Sequence, residues 1–94
     1  MIIRLVKLTF AHEHCAAFIE LFNASQPKIN AMQGCNGVVL LRDTLQPTVF
    51  FTKSSWDTNE ALEAYRNSEL FISVWARTKV LFSAKPEAWS TIQL

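Results

Sequence analysis

The chain has 94 residues, half of them hydrophobic, with seven Phe, three Trp and one Tyr and a formal charge of +1. That balance, with no block of like charges, excludes the electrostatic footprint of a nucleic-acid binder or of a protein held on an anionic membrane. One domain, 1–94, is expected, and it is too small to hide so much aromatic area alone, so a second copy or a ligand is expected to cover part of it.

The opening stretch MIIRLVKLTF is interrupted by Arg4 and Lys7 and leads to no small-residue cleavage site. It therefore reads as a strand over 2–10 rather than a secretory signal. No run is apolar for the length that a membrane helix requires. Along this strand Ile2, Arg4, Val6, Leu8 and Phe10 share one face and Ile3, Leu5, Lys7 and Thr9 the other, so apolar residues lie on both. From His12 the period changes. Cys15, Phe18, Ile19 and Phe22 fall at i, i+3, i+4 and i+7 and predict a helix over 12–24. Ser25 ahead of Pro27 predicts a separate short helical piece that carries Ile29 and Met32 and ends at Gly34.

GVVLLRD over 37–43 and TVFFTKSSW over 48–56 predict a hairpin with a loop containing Pro47. Both faces are again apolar, since Val38 and Leu40 oppose Val39 and Leu41, and Phe50 opposes Val49 and Phe51. Asp57, with Glu60 three residues on, predicts the cap of a helix carrying Ala61, Leu62, Ala64 and Tyr65. Ser68 beside Glu69 is a second cap signature. Phe71, Val74, Trp75, Thr78 and Phe82 trace the stripe of a further helix that Lys85 and Pro86 stop. Asn67-Ser68 is then a corner that brings Tyr65 and Trp75 to one region along different axes. AWSTIQL over 88–94 predicts the last strand.

The order β-α-β-β-α-β predicts an α+β fold, a ferredoxin-like antiparallel sheet with its helices on one face. The other face, lined with Val, Leu, Ile and Phe, predicts a homodimer in which two sheets pack face to face. Cys15 and Cys35 lie in different elements without C-x-x-C spacing. Free thiols in a reducing cytoplasm are expected, with a disulfide as the alternative.

Tyr65, Trp56 and Trp75 form the candidate catalytic set, lining a cavity between helices and sheet with their O–H and N–H groups as orienters. The competing reading makes all three core residues, each anchored by one hydrogen bond. Phe51 and Phe71 are the candidate apolar contacts for an aromatic ligand. Arg4 and Arg42 each interrupt an apolar strand face, where a guanidinium either holds a substrate phenolate or pairs with an acid such as Glu69 or a group of a second subunit. His14 is a candidate binding residue and, like His12, is a candidate base, against the reading of both as exposed residues at a helix start. His12, His14 and Cys15 point apart on a helix, so no metal site is expected. No phosphate loop, nucleophile elbow or serine triad is present.

Trp56, the AYRNSELF corner, Trp75, KVLF over 79–82 and the tail KPEAWS together resemble the antibiotic biosynthesis monooxygenase family of dimeric α+β barrels. The resemblance implies a homodimer acting on a small aromatic hydroxy compound or quinol by oxygenation without a cofactor. A second reading is a non-catalytic binding or stress-related dimer using the same pocket. The haem-degrading branch of the family typically has an Asn on strand 1, a Trp just before the corner and a His one to two turns after it. Here strand 1 has no Asn, and Tyr65 and Trp75 stand at the other two places, which places haem degradation third.

Overall fold

A computed structural model describes residues 1–94. The elements are β1 Ile2–Thr9, a 3-10 turn at His12–His14, α1 Cys15–Asn30, β2 Cys35–Arg42, β3 Val49–Trp56, α2 Asn59–Arg66, α3 Glu69–Lys79 and β4 Glu87–Ile92. The strands form one sheet in the order β2-β3-β1-β4. Every neighbouring pair is antiparallel. This is the expected α+β, ferredoxin-like arrangement. No helix is long and apolar enough to cross a membrane.

Strand alternation decides what faces the helices. Leu8 pairs with Phe50, and both are buried. Residues in phase with them, Val6 and Arg4 on β1, Thr52, Ser54 and Trp56 on β3 and Val38 on β2, therefore point to the helical side. Phe10, Phe18, Phe22 and Ile29 close the core over them. Phe18 stacks on Phe10 with centroids 4.3 Å apart and meets Phe50 edge-on at 5.6 Å. The opposite phase forms the uncovered face. Val39, Lys53, Leu5 and Trp89 make one row across all four strands, and Leu41, Phe51, Lys7 and Glu87 the next. On it Val39 and Leu41 are each 46% exposed and Trp89 44%.

The helix after β1 is continuous through Pro27, where the sequence predicts a break. A proline inside a helix costs about 3 kcal/mol, because it removes one N–H bond and crowds the preceding turn. Tertiary contacts offset this. Ser25 and Ile29 are buried with Phe18 and Phe22, so one face runs unbroken across the proline. The Gln26 amide donates to the Val38 carbonyl at 2.8 Å, and Asn30 Oδ1 accepts from the Val38 N–H at 3.0 Å, tying the last turns to β2.

Three smaller corrections share a cause in hydrogen bonding between distant segments. The cap of α2 is Thr58, whose hydroxyl accepts from the Ala61 N–H at 3.1 Å. Asp57 instead accepts from Asn36 Nδ2 at 2.8 Å and donates its own N–H to the Gly34 carbonyl at 2.8 Å. Helix α3 ends at Lys79, and Phe82 leaves it to bridge Phe10 while Ser83 N–H donates to the Thr9 carbonyl at 3.0 Å. The last strand runs over Glu87–Ile92, in register with β1, rather than to the C-terminal Leu94.

Gly34 joins α1 to β2 with φ at +79°, where a side chain is strained, and a Cβ there would stand 2.5 Å from Ala61 Cβ of α2. We expect Gly34→Ala to lower stability in urea unfolding by at least about 1–3 kcal/mol. Adding Ala61→Gly should recover only the steric part and leave the backbone strain.

Candidate functional site

Between the helical side of the sheet and the helices lies a cavity of about 320 Å³. Its wall is largely apolar, including Val6, Leu8, Phe18, Phe22, Val38 and Val74, and one side is aromatic, made of Tyr65, Phe71 and Trp75. Its polar groups include those of Arg4, Thr52, Ser54, Arg66 and Glu87. A largely apolar concavity with few convergent polar groups is the usual form of a small-molecule site.

The aromatic side is assembled by the corner between α2 and α3. Ser68 Oγ donates to the Tyr65 carbonyl at 2.6 Å and accepts from the Phe71 N–H at 3.1 Å. The last turn of one helix and the first of the next are thereby locked together. Tyr65 meets Phe71 edge-on with centroids 5.2 Å apart, Phe71 stacks with Trp75 at 5.8 Å, and Trp75 meets Phe82 at 5.6 Å. Phe82 in turn stacks on Phe10 at 5.3 Å, so the rim is continuous with the core.

Of the candidates read from the sequence, the structure gathers Arg4, Tyr65, Phe71 and Trp75 around this cavity. Trp56 stands behind them. It is fully buried, its Nε1 donates to Ser54 Oγ at 3.0 Å, and its ring stacks on Tyr65 at 4.9 Å. Phe51 lies on the uncovered face of the sheet, beside Leu41 and Lys7. Arg42 sits over the Phe50 ring, 4.6 Å from its centroid, outside the cavity lining. His14 rests with Nδ1 3.4 Å from the Leu81 carbonyl, and neither histidine lines the cavity. Both cysteines are free thiols, and no group of His, Cys, Asp and Glu side chains is placed to hold a metal ion.

Arg66, the last residue of α2, carries no signal of a site in the sequence, because Arg in the final turn of a helix is ordinary compensation of the helix dipole. It lines the cavity with Arg4. Burial and then the positive charge of Arg66 hold the Arg4 guanidinium below its usual range, while Glu63 acts the other way. Burial, with a smaller contribution from Cys35, pushes the Tyr65 hydroxyl up to about 12. At neutral pH Tyr65 is thus a hydrogen-bond donor and not a phenolate base.

A family model described as antibiotic biosynthesis monooxygenase matches residues 1–76. No curated protein matches the chain. Solved structures share its fold at low identity. A protein from Caulobacter crescentus CB15, described as a candidate antibiotic biosynthesis monooxygenase, superposes with a TM-score of 0.93 at 17% identity, over 99% of this chain and 89% of that one. A similarly described protein from Nitrosomonas europaea gives a TM-score of 0.92 at 14% identity, over 100% and 99% of the two chains. One from Deinococcus radiodurans gives 0.91 at 19%, over 99% and 92%.

The Tyr65 shift has a consequence for stability. A hydroxyl whose pKa is raised on folding contributes fully below its unfolded value, near 10, and that contribution is lost as pH rises through the folded value, about 12. Between those limits the protein should lose about 2–3 kcal/mol more than a Tyr65→Phe variant. Denaturant titrations of both proteins at pH 9 and pH 12 measure the difference.

Proposed function

The chain belongs to the antibiotic biosynthesis monooxygenase family, and from that premise we propose that it oxygenates a small aromatic hydroxy compound or quinol without a cofactor. The observation that carries this reading is the cavity itself, apolar on most of its wall and aromatic along one side, with a neutral phenol donor in Tyr65 and a cationic group in Arg4.

The chemistry asks little of the protein beyond those features. The ionised phenol supplies its own electrons. Dioxygen adds at a ring carbon to form a C–O bond. The O–O bond then breaks, one oxygen stays as a quinone carbonyl, and the other leaves as water with the two hydrogens the substrate gives up. A phenol and O₂ thus become a quinone and water, and no external reductant enters. In this scheme Tyr65 donates to the substrate oxygen, and Trp75 and Phe71 hold the ring and exclude water. The positive field of Arg4 favours the ionised substrate. Trp56 is a positioning residue that acts through its stack on Tyr65.

A binding role without turnover is the second reading. It is favoured by the lack of an imidazole along the cavity wall and by the neutral state of Tyr65, which leave Glu87, turned to Lys7, as the one carboxylate on the wall. Oxygen uptake by metal-stripped protein against a panel of hydroquinones separates the two. Saturable uptake with a hydroxyquinone product that carries one oxygen atom from O₂, falling at least tenfold in kcat for Tyr65→Phe while Trp56→Phe changes it less, supports the oxygenase; a plain quinone with peroxide does not. Saturable tryptophan quenching with no product supports the binder.

We further propose that a second copy covers the open face, giving the homodimer and the paired sheets expected of the family. Support comes from the exposed apolar side chains of Val39, Leu41 and Trp89 on that face and from β4, an edge strand exposed along all six residues. Light scattering should give a dimer, and Val39→Asp combined with Trp89→Glu should shift it to monomer.

A further inference from the structure

Arg4 lies in the middle of β1 on the helical side of the sheet, between Ile2 and Val6 of the same phase. A structural arginine in such a place is normally neutralised by a carboxylate. This one is not. The chain has two ion pairs, Lys7–Glu87 at 3.7 Å and Arg66–Glu63 at 3.0 Å, and Arg4 is in neither. Its hydrogen bond runs from Nη1 to Ser90 Oγ at 3.0 Å, a neutral acceptor that uses one of five donors. The acid expected from the sequence, Glu69, is exposed at the start of α3.

A second guanidinium stands at the same cavity. Arg66 lines the same cavity from the opposite element and repels Arg4. Glu63 is held by Arg66 on the solvent side, both side chains being nearly half exposed, and Glu87 is turned to Lys7. Arg66 is thus already paired with Glu63 but keeps further N–H donors, while Arg4 is the cation at this cavity with no carboxylate partner.

We propose that the cavity takes an aromatic acid, its carboxylate seated between Arg4 and Arg66 and its ring against Tyr65, Phe71 and Trp75. This rests on the reading of the cavity as the small-molecule site and narrows its ligand class. A carboxylate fits the planar forks of two guanidiniums better than a phenolate, which offers a single oxygen. A phosphate dianion fits less well, because most of the wall is apolar and carries an aromatic side that a phosphate alone would leave unfilled. The ring hydroxyl then falls to Tyr65.

Calorimetric titration with 2,5-dihydroxybenzoate, its methyl ester and hydroquinone tests this on wild type, Arg4→Gln, Arg66→Gln and Arg77→Gln. Arg77 is exposed on α3 outside the cavity lining and controls for net charge. The acid should bind wild type at least tenfold more tightly than the ester. Arg4→Gln and Arg66→Gln should each lose tenfold for the acid and less than threefold for the ester, with Arg77→Gln unchanged. Equal affinity of wild type for acid and ester, equal losses for both in the variants, or no binding of the acid at millimolar concentration by folded protein would overturn the proposal. Arg66 is exposed, so its variant keeps the test decisive if Arg4→Gln does not fold. Arginine-dependent binding of the acid without oxygen uptake would keep the carboxylate site and remove the oxygenase. Turnover of hydroquinone undiminished in the arginine variants, with no preference for the acid, would keep the oxygenase and remove the carboxylate site.

Discussion

The hydroxyl of Ser68 bonds backward to the carbonyl of Tyr65 and forward to the N–H of Phe71, and the geometry of the cavity follows from that pair of bonds. A straight helix through this segment would spread Tyr65, Phe71 and Trp75 along one axis. The corner turns the axis between Tyr65 and Phe71, so their rings meet edge-on and Trp75 comes in behind. A helix N-cap of this kind is worth about 1 kcal/mol. Its larger effect is directional, because three rings that line one cavity depend on it.

The second constraint is the one-sided sheet. Helices cover the face that carries Leu8, Val38 and Phe50, and the aromatic core fills the end of the gap where Phe10, Phe18 and Phe82 stack. Toward Arg4 the gap stays open as the cavity. On the other face, alternation turns Ile3, Leu5, Val39, Leu41 and Phe51 outward, interspersed with Lys7 and Lys53. A strand that is apolar in both phases has both faces to cover, and one layer of helices covers only one.

Within the cavity, burial and charge divide the roles of the polar groups. Burial pushes the Tyr65 hydroxyl up to about 12, so it keeps its proton for donation and does not serve as a base at neutral pH. Arg4 is only partly buried, and its one hydrogen bond goes to Ser90, a neutral acceptor. Trp56 contributes without touching the cavity, by fixing the plane of the Tyr65 ring from behind.

What the sequence determined by itself is the part that short-range periodicity and capping control. Two-residue alternation in β1, β2 and β3, the helical stripe from Cys15 to Phe22, and the Ser68 cap are local relations, and they were enough to order the elements and to pick out Tyr65, Phe71 and Trp75. Contacts between distant segments decided the rest. Gln26 and Asn30 bonding to Val38 carry α1 through Pro27, and pairing with Phe10 takes Phe82 out of the helix its spacing predicts. Only the tertiary packing puts Arg66, at the end of α2, and Arg4, on β1, along one cavity, and only the sheet register sends Phe51 to the far face. Helix and strand periods are set by neighbours along the chain. Which two cations share a cavity is set by how the layers stack, and no spacing in the sequence encodes that distance.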